Sequence, residues 1–198
     1  VIAYKENTHF DNYEIQDINT KSVLVLPNFV EDICFDEISR ELDSSCAKFK
    51  MWHGDSHWIA DDRSNDWKSA CPLFNKIINR IQDYFKIEVK ATRLNWYENN
   101  SDWKPFHHDA AAIDEEKAKT QNITVGVSLG STRDICFQHA EKLTTISIPM
   151  INGSAYAFGK NININWKHGI PPKSIDIKDI NNSRISIIVW GYSSNFNS

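Results

Sequence analysis

One tripeptide near the middle of the chain has residue types that bind metal ions. It reads His107-His108-Asp109 and closes the stretch 93–109. Because alternate side chains of an extended strand point to the same face, His107 and Asp109 are expected to project together. An imidazole nitrogen and a carboxylate oxygen on one face are two ligands of a 2-His-1-carboxylate site, which keeps positions open for a co-substrate and dioxygen. The third ligand must come from another part of the chain.

A second H-x-D tripeptide, His53-Gly54-Asp55, competes for the same role. It could borrow His107 or His108 as a third ligand, but no arginine follows it at a matching distance. The later tripeptide is followed by His168, at the expected end of a strand before a Gly/Pro turn, and then by Arg184. We therefore favour the tripeptide that ends at Asp109.

Arg184 opens a strand-like apolar run, and Ser186 shares its face. An arginine that points into the dry interior of a sandwich needs an anionic partner, because an unpaired buried charge is costly. Its planar guanidinium is suited to binding a carboxylate through two hydrogen bonds. The alternative is an ordinary surface charge at the start of a strand.

The elements that must position these residues differ between the two halves of the chain. Helical spacing of apolar residues predicts helices over about 32–48 and 66–85, the second with Asp66 as its N-cap, after a strand that begins at Ser22. Later, short apolar runs are separated by Gly, Asn, Asp and Pro, as in β-sandwiches and barrels. These predicted strands are 89–97, 123–129, 134–137, 144–149, 154–158 and 184–192. We predict one α+β domain over 1–198, with N-terminal helical support over 1–88 and a jelly-roll core over 89–198.

Composition limits the function classes. The 198 residues carry a net charge of −4, which argues against a protein held to nucleic acid by bulk electrostatics. No apolar run is long enough to span a membrane, and the polar N-terminal stretch predicts no secretory signal. The four cysteines have no C-x-x-C spacing, so we expect reduced thiols rather than a zinc cluster. We expect an intracellular protein, cytoplasmic or nuclear, that is monomeric.

The chain resembles the AlkB-like family of Fe(II)- and 2-oxoglutarate-dependent dioxygenases over residues 93–192. The resemblance is carried by four motifs in the family order. They are L-N-x-Y at Leu94–Tyr97, H-x-D at His107 and Asp109, H-G-I at His168, and R-x-S at Arg184 and Ser186. It implies a double-stranded β-helix, the cupin-like form of the jelly roll.

The resemblance also implies site roles and a reaction. His107, Asp109 and His168 would hold Fe(II), and Arg184 would bind the far carboxylate of 2-oxoglutarate. Asn95, Tyr97 and Ser186 would complete the co-substrate site. The implied reaction converts 2-oxoglutarate and O₂ to succinate and CO₂ while a substrate C–H bond is hydroxylated. If that carbon is bonded to nitrogen, the product loses an aldehyde and the net result is demethylation.

The prime substrate is less well defined. Four residues are candidates for substrate contact: Trp52, His57, Trp58 and Trp103. Those in the segment 49–68 lie where the family carries a substrate lid, and exposed aromatic rings there could stack on a base. The alternative is the core of an N-terminal subdomain. Two departures weaken the base-reading pattern, because Trp190 stands where a second arginine usually closes the last motif and Ala110–Ala112 replace acidic residues.

Three functions follow as hypotheses. The favoured one is hydroxylation or demethylation of a modified nucleobase, with single-stranded nucleic acid or a modified nucleotide as partner. The second is hydroxylation of a protein side chain or small metabolite by the same chemistry. The third is an inactive jelly-roll binding module. A zinc hydrolase with the same ligands is disfavoured, because nothing near them resembles its general base.

Overall fold

The computed structural model of the protein describes residues 3–6, 22–52, 55–63, 66–142, 144–173 and 182–196. Its framework is an eight-stranded sheet, the major sheet, that faces a four-stranded minor sheet. The N-terminal strands are β1 (Ala3–Glu6), β2 (Ser22–Leu26), β3 (Phe49–Trp52) and β4 (His57–Ala60). The later strands are β5 (Glu88–Tyr97), β6 (Lys104–His107), β7 (Ile123–Gly130), β8 (Arg133–His139), β9 (Thr145–Met150), β10 (Ser154–Gly159), β11 (Trp166–Ile170) and β12 (Arg184–Tyr192).

From β5 onward the chain passes back and forth between the sheets, with one hairpin, β8–β9, inside the minor sheet. The major sheet has the order β1-β2-β10-β7-β12-β5-β4-β3, and the minor sheet has the order β6-β11-β8-β9. Every pairing among β5 to β12 is antiparallel. This winding of one chain back and forth between two facing sheets is a double-stranded β-helix, so the predicted α+β jelly-roll fold is confirmed.

The N-terminal region contributes more strand than the sequence suggested. Strand β2 pairs with β10, while the β3–β4 hairpin pairs with β5 at the other end of the major sheet. Within the described ranges, residues 1–88 are therefore part of the sheet as well as helical support. His53 and Gly54, from the competing H-x-D tripeptide, lie outside the described residues.

Four α-helices complete the described chain: α1 (Phe35–Ser44), α2 (Pro72–Phe85), α3 (Glu115–Thr120) and α4 (Lys160–Asn165). The predicted start of the second helix at Asp66 was wrong, because residues Trp67–Ala70 form a separate 3-10 helix. Pro72 disfavours helical geometry in the residue before it, and Cys71 has φ −118° and ψ 82°. The first backbone N–H groups of α2 are instead bound by the Glu41 carboxylate, 2.9 Å from the amide of Leu73.

The fold has two apolar cores. In the first, α1 and α2 cover the outer face of the major sheet, with the α2 side chains Phe74, Ile77, Ile81 and Phe85 buried. The second lies between the two sheets and includes Phe137, Phe158 and Ile188. No helix in the described ranges is long and apolar enough to cross a membrane. The polar residues of the motifs enter the second core, between the sheets.

Candidate functional site

Three side chains with metal-binding atoms meet between the sheets. One ligand atom from each of His107, Asp109 and His168 lies within 4.8 Å of the others. Asp109 Oδ1 is 3.6 Å from His168 Nε2 and 3.9 Å from His107 Nε2. Ligand atoms bound to one ion at about 2.1 Å must lie roughly 3–4 Å apart. The two histidines are cross-strand partners on β6 and β11, so the barrel itself brings them together.

Asp109 reaches this position by a turn rather than by strand alternation. Strand β6 ends at His107, and Asp109 is the N-cap residue of a 3-10 helix over Ala110–Ala112. Asn163 on α4 accepts from the Asp109 backbone N–H at 2.8 Å and donates to its carbonyl oxygen at 3.2 Å. Thr124 donates its hydroxyl to Asp109 Oδ2 at 2.7 Å, which leaves Oδ1 directed at the histidines.

The histidine rings are also oriented for binding. His107 Nδ1 lies 2.8 Å from the Pro105 carbonyl oxygen, so it carries the hydrogen and leaves Nε2 as the free acceptor. His168 is buried against Phe137 and Phe158. Burial lowers the pKa of His168 to about 3, and it also lowers the pKa of His107. Both imidazoles are therefore neutral at neutral pH, which is the form that binds metal ions.

The Asp109 carboxylate stays ionised in this buried place. Burial raises its pKa, but the positive charge that either histidine carries when protonated and the Thr124 hydrogen bond lower it by more, so the pKa lies below its ordinary value. Two neutral imidazoles and one carboxylate are the donor set of a 2-His-1-carboxylate site for non-haem iron.

Arg184 lies in the same interior and is 1% exposed. Its Nε donates to Ser128 Oγ at 2.8 Å, whereas Nη1 is buried and has no hydrogen-bond partner among the described residues. The guanidinium carbon lies 5.1 Å from the centre of the Tyr97 ring. Burial raises the pKa of Tyr97, although the positive charge of Arg184 acts to lower it. A buried cation with an unsatisfied donor fits a carboxylate ligand.

Strand register places the other expected co-substrate residues beside this arginine. Arg184 pairs with Tyr97, and Ser186 pairs with Asn95, so all four point to the inner face of the major sheet. The structure therefore brings together the residues that the resemblance assigned to 2-oxoglutarate.

His57, on the neighbouring strand β4, contacts two of these residues. It is completely buried, and its ring stacks on Tyr97 with 4.9 Å between centroids and 10° between planes. Nε2 lies 3.1 Å from Asn95 Oδ1, and Nδ1 lies 3.1 Å from the Trp103 carbonyl oxygen. Burial lowers the pKa of His57 to about 4, and Lys104 contributes, so the neutral ring can donate to only one of these acceptors.

Arg133, the first residue of β8 in the minor sheet, lies close to Tyr97 from the opposite side of the interior. It is fully buried, and its Nη atoms donate to the carbonyl oxygens of Asn99, Asp102 and Pro171 at 3.3, 2.7 and 2.8 Å. Its guanidinium carbon is 5.8 Å from the Tyr97 ring centre. Tyr97 therefore lies among two guanidinium groups and the His57 ring.

A narrow cavity runs between the metal-binding residues and the inner face of the major sheet. Its walls are Asn95, Tyr97, Lys104, Asp109, Ile135, Tyr156, His168, Gly169, Ile170, Ser186, Ile188 and Trp190. The sequence indicated Lys104 only as a residue that flanks the site and could meet phosphate or an acidic substrate, with a solvated face as the alternative. It did not place Tyr156 in this wall, and it did not show the supporting roles of Thr124 and Asn163. The Tyr156 ring lies over Gly126, where a built Cβ would be 2.3 Å from the ring. Thr124 on β7 and Tyr156 on β10 share a face because of the pairing between these two strands, which alternation within each strand does not reveal.

The expected substrate residues do not gather in one place. His57 is buried with both ring nitrogens at hydrogen-bond distance from acceptors, so it presents no surface to a substrate. Trp58 pairs with Trp96, on the face opposite Asn95, and so it points away from the cavity. Trp52 is half-buried with the Arg93 guanidinium carbon 5.2 Å from its ring centre. Trp103 is half-buried and joins β6 to β4 through its amide, 2.8 Å from the Ser56 carbonyl oxygen.

Comparisons with known proteins agree with this geometry. A family model described as the 2OG-Fe(II) oxygenase superfamily matches residues 23–189. The solved structure titled "The structure of OsALKBH1" is similar at TM-score 0.60 and 16% identity, over 85% of this chain and 97% of that chain. A 2OG-Fe(II) oxygenase family oxidoreductase from Burkholderia pseudomallei is similar at TM-score 0.59 and 12% identity, over 96% and 94% of the two chains. No curated protein matches the sequence. At these identities the two structures establish the fold, and the family match spans the chain from β2 to β12.

Proposed function

The chain belongs to the 2OG-Fe(II) oxygenase superfamily, and we propose that it hydroxylates or oxidatively demethylates a modified nucleobase in nucleic acid. Membership makes the protein a dioxygenase, and it implies Fe(II), 2-oxoglutarate and O₂ as the predicted cofactors. The predicted membership of the Fe(II)- and 2-oxoglutarate-dependent oxygenases is confirmed by this match, and the fold is shared with the OsALKBH1 structure. The nucleobase substrate, the monomeric state, the single-domain organisation and the intracellular location remain predictions.

The observation that carries the reaction class is the meeting of three ligand atoms beside an unsatisfied buried arginine. His107, Asp109 and His168 would hold Fe(II), and the donor set fits that ion. When bound, Fe(II) supplies the reduction of O₂ that is coupled to oxidation of 2-oxoglutarate and of a substrate C–H bond. Thr124 and Asn163 keep the Asp109 carboxylate directed at the histidines.

Arg184 would bind the far carboxylate of 2-oxoglutarate through its unsatisfied Nη1. Ser128 and Tyr97 fix the guanidinium, while His57 fixes the Asn95 amide that faces the cavity. The apolar walls Ile135 and Ile188 limit water, and charge-assisted hydrogen bonds are stronger in such a place. These side chains, Arg184 and Asn95 above all, would therefore bind and orient the co-substrate.

Support for a nucleobase comes from the fold and from one edge of the major sheet. Trp52 on β3 offers a half-buried indole under the Arg93 guanidinium. Indole rings and guanidinium planes are surfaces on which bases stack. Because Trp52 pairs with His57 on the strand next to β5, it faces the same side of the sheet as Asn95.

A protein side chain or small metabolite is the second candidate substrate. The residues after Asp109 are Ala110–Ala112, whose side chains offer no hydrogen-bonding atom to the edge of a base. The cavity is also narrow, which suits a slender substrate. These two observations are what supports the second candidate.

The test is succinate formation from 2-oxoglutarate with Fe(II) and ascorbate, with and without single-stranded oligonucleotides that carry N-methylated bases. Products are identified by mass spectrometry. The proposal expects methyl loss or hydroxylation coupled to succinate, both abolished in His107→Ala. The control His139→Ala changes a histidine at the far end of β8 and should keep activity. Succinate formation with unaltered bases in every oligonucleotide would refute the nucleobase proposal.

A further inference from the structure

Two cations near the cavity, Lys104 and Arg93, have no role in holding the metal ion or 2-oxoglutarate. Lys104 lines the cavity wall together with Asp109 and His168. Arg93 faces the same interior from β5, two residues before Asn95. Neither side chain has an acidic ion-pair partner within the described residues, and Arg93 Nε is buried without a hydrogen-bond partner there.

A β-bulge turns Lys104 toward the metal-binding residues. Both His107 and Lys104 pair with inward-facing residues of β11, namely His168 and Ile170, although they are three positions apart. Regular alternation would put them on opposite faces, and the extra residue of the bulge corrects this. A Cβ at Gly169 would lie 2.8 Å from the Lys104 carbonyl oxygen, so the glycine permits the close approach of the bulge.

The cations are within electrostatic reach of each other and of the metal-binding carboxylate. Burial lowers the pKa of Lys104 to about 8, Asp109 opposes this shift, and Arg93 and Arg184 add to it. Lys104 therefore carries its charge at neutral pH. Arg93 lies opposite Ile188 on β12, one row nearer to Trp190 than Asn95 is. Lys104 in the cavity wall, with Arg93 within electrostatic reach of it, therefore makes the potential at the metal side of the cavity positive.

The charges do not balance without a further anion. Asp109 contributes one negative charge, whereas Lys104, Arg93 and Arg184 contribute one positive charge each. Fe(II) and the 2-oxoglutarate dianion would cancel each other. Lys104 and Arg93, both half-buried, are then left without an acidic counter-charge among the described residues, so this end of the cavity attracts an anion.

We propose that Lys104 and Arg93 form a subsite for an oxyanion, a phosphate or a carboxylate, of the prime substrate. The inference rests on the proposed oxygenase function and adds to it that the substrate is anionic close to the oxidised carbon. The subsite explains why the bulge and Gly169 turn a lysine inward.

The test measures binding rather than turnover. Protein loaded with Mn(II) and 2-oxoglutarate, without O₂, is titrated calorimetrically with deoxyadenosine monophosphate, deoxyadenosine, inorganic phosphate and benzoate. The variants are Lys104→Gln and Arg93→Gln. The control is Lys117→Gln on α3, an exposed lysine near Asp114. Thermal melts confirm that each variant is folded.

We expect an oxyanion probe to bind the parent, with affinity about tenfold lower in Lys104→Gln and unchanged in Lys117→Gln. The dissociation constant of 2-oxoglutarate should be the same in all four proteins. A preference for phosphate probes over benzoate identifies a nucleotide-like source, and the reverse preference identifies a carboxylate metabolite; both support the subsite.

Two results would overturn the inference. In the first, charged and uncharged probes bind the parent equally. In the second, Lys104→Gln weakens the binding of 2-oxoglutarate while the binding of the oxyanion probe is unchanged, which would assign the lysine to the co-substrate. Turnover of a modified base without oxyanion binding would refute only the subsite. Oxyanion binding without turnover of any base would refute only the nucleobase substrate.

Discussion

Replacement of Arg184 by methionine should separate co-substrate binding from folding. The side chain has a similar length, but the unsatisfied Nη1 and the charge are lost. A hydrogen bond to a charged group contributes about 1.5–3 kcal/mol, so the 2-oxoglutarate dissociation constant should rise roughly 10- to 150-fold.

The same substitution should leave the ligand-free protein about as stable as the parent. Within the described chain Arg184 pairs with no carboxylate, so its removal leaves no buried acid uncompensated. The Ser128 hydroxyl loses one donor, a loss of about 1 kcal/mol, and relief of an unpaired buried cation offsets it.

The assay combines thermal melts with succinate formation at increasing 2-oxoglutarate. Arg184→Met should melt near the parent temperature without ligand but lose the stabilisation that 2-oxoglutarate gives the parent. The matched control is Arg80→Met, which removes a surface guanidinium bound to Asp32 and the Phe29 carbonyl oxygen. It should keep the parent's affinity for 2-oxoglutarate.

One result would refute this reasoning. If Arg184→Met unfolds the protein, or if its surviving folded fraction uses 2-oxoglutarate as the parent does, Arg184 is a structural residue. The co-substrate carboxylate must then bind elsewhere.

Three further predictions concern the supporting residues. Because the pKa of His57 is about 4 in the fold and near 6.5 when unfolded, its contribution to the free energy of unfolding falls as the pH drops from 6.5 to 4, by up to about 1.4 kcal/mol per pH unit. Denaturant titrations at several pH values should therefore give a free energy of unfolding that falls less steeply with decreasing pH in His57→Gln than in the parent. Equal pH dependence in the two proteins would contradict the assignment. Asn163→Ala should weaken Mn(II) binding about 10- to 100-fold by freeing the Asp109 backbone, whereas Asn165→Ala on the same helix should not. Thr124→Val should weaken Mn(II) binding comparably with little loss of stability, and unchanged affinity would show that the carboxylate needs no hydroxyl to orient it.

The strands of the barrel could be predicted because their burial leaves a direct mark on the sequence. Strand β7 is buried along almost its whole length, and its sequence alternates apolar residues with Thr, Gly and Ser. The β3–β4 hairpin escaped prediction because its tryptophans and His57 have no regular period. Its place in the sheet is set by pairing with β5, which is a contact between distant parts of the chain.

Individual site residues were harder to place than strands. The sequence motifs located the three residues whose ligand atoms meet between the sheets, but strand alternation was the wrong reason for the position of Asp109, which a 3-10 turn sets. His57 was expected to face a substrate, yet Asn95, Ser56 and Trp103 surround its nitrogens with partners that only the folded chain supplies. Lys104 could be predicted to flank the site but not to line its cavity, because a bulge reverses the face that alternation assigns to it.

The contacts of Arg133 have a consequence for local motion. One guanidinium holds the carbonyl oxygens of Asn99 and Asp102, in the turn after β5, and of Pro171, which follows β11. Neither segment can open without also releasing bonds that secure the other. Transient opening at this end of the barrel is therefore cooperative, and amide protons in both segments should exchange with solvent as one unit rather than fray separately.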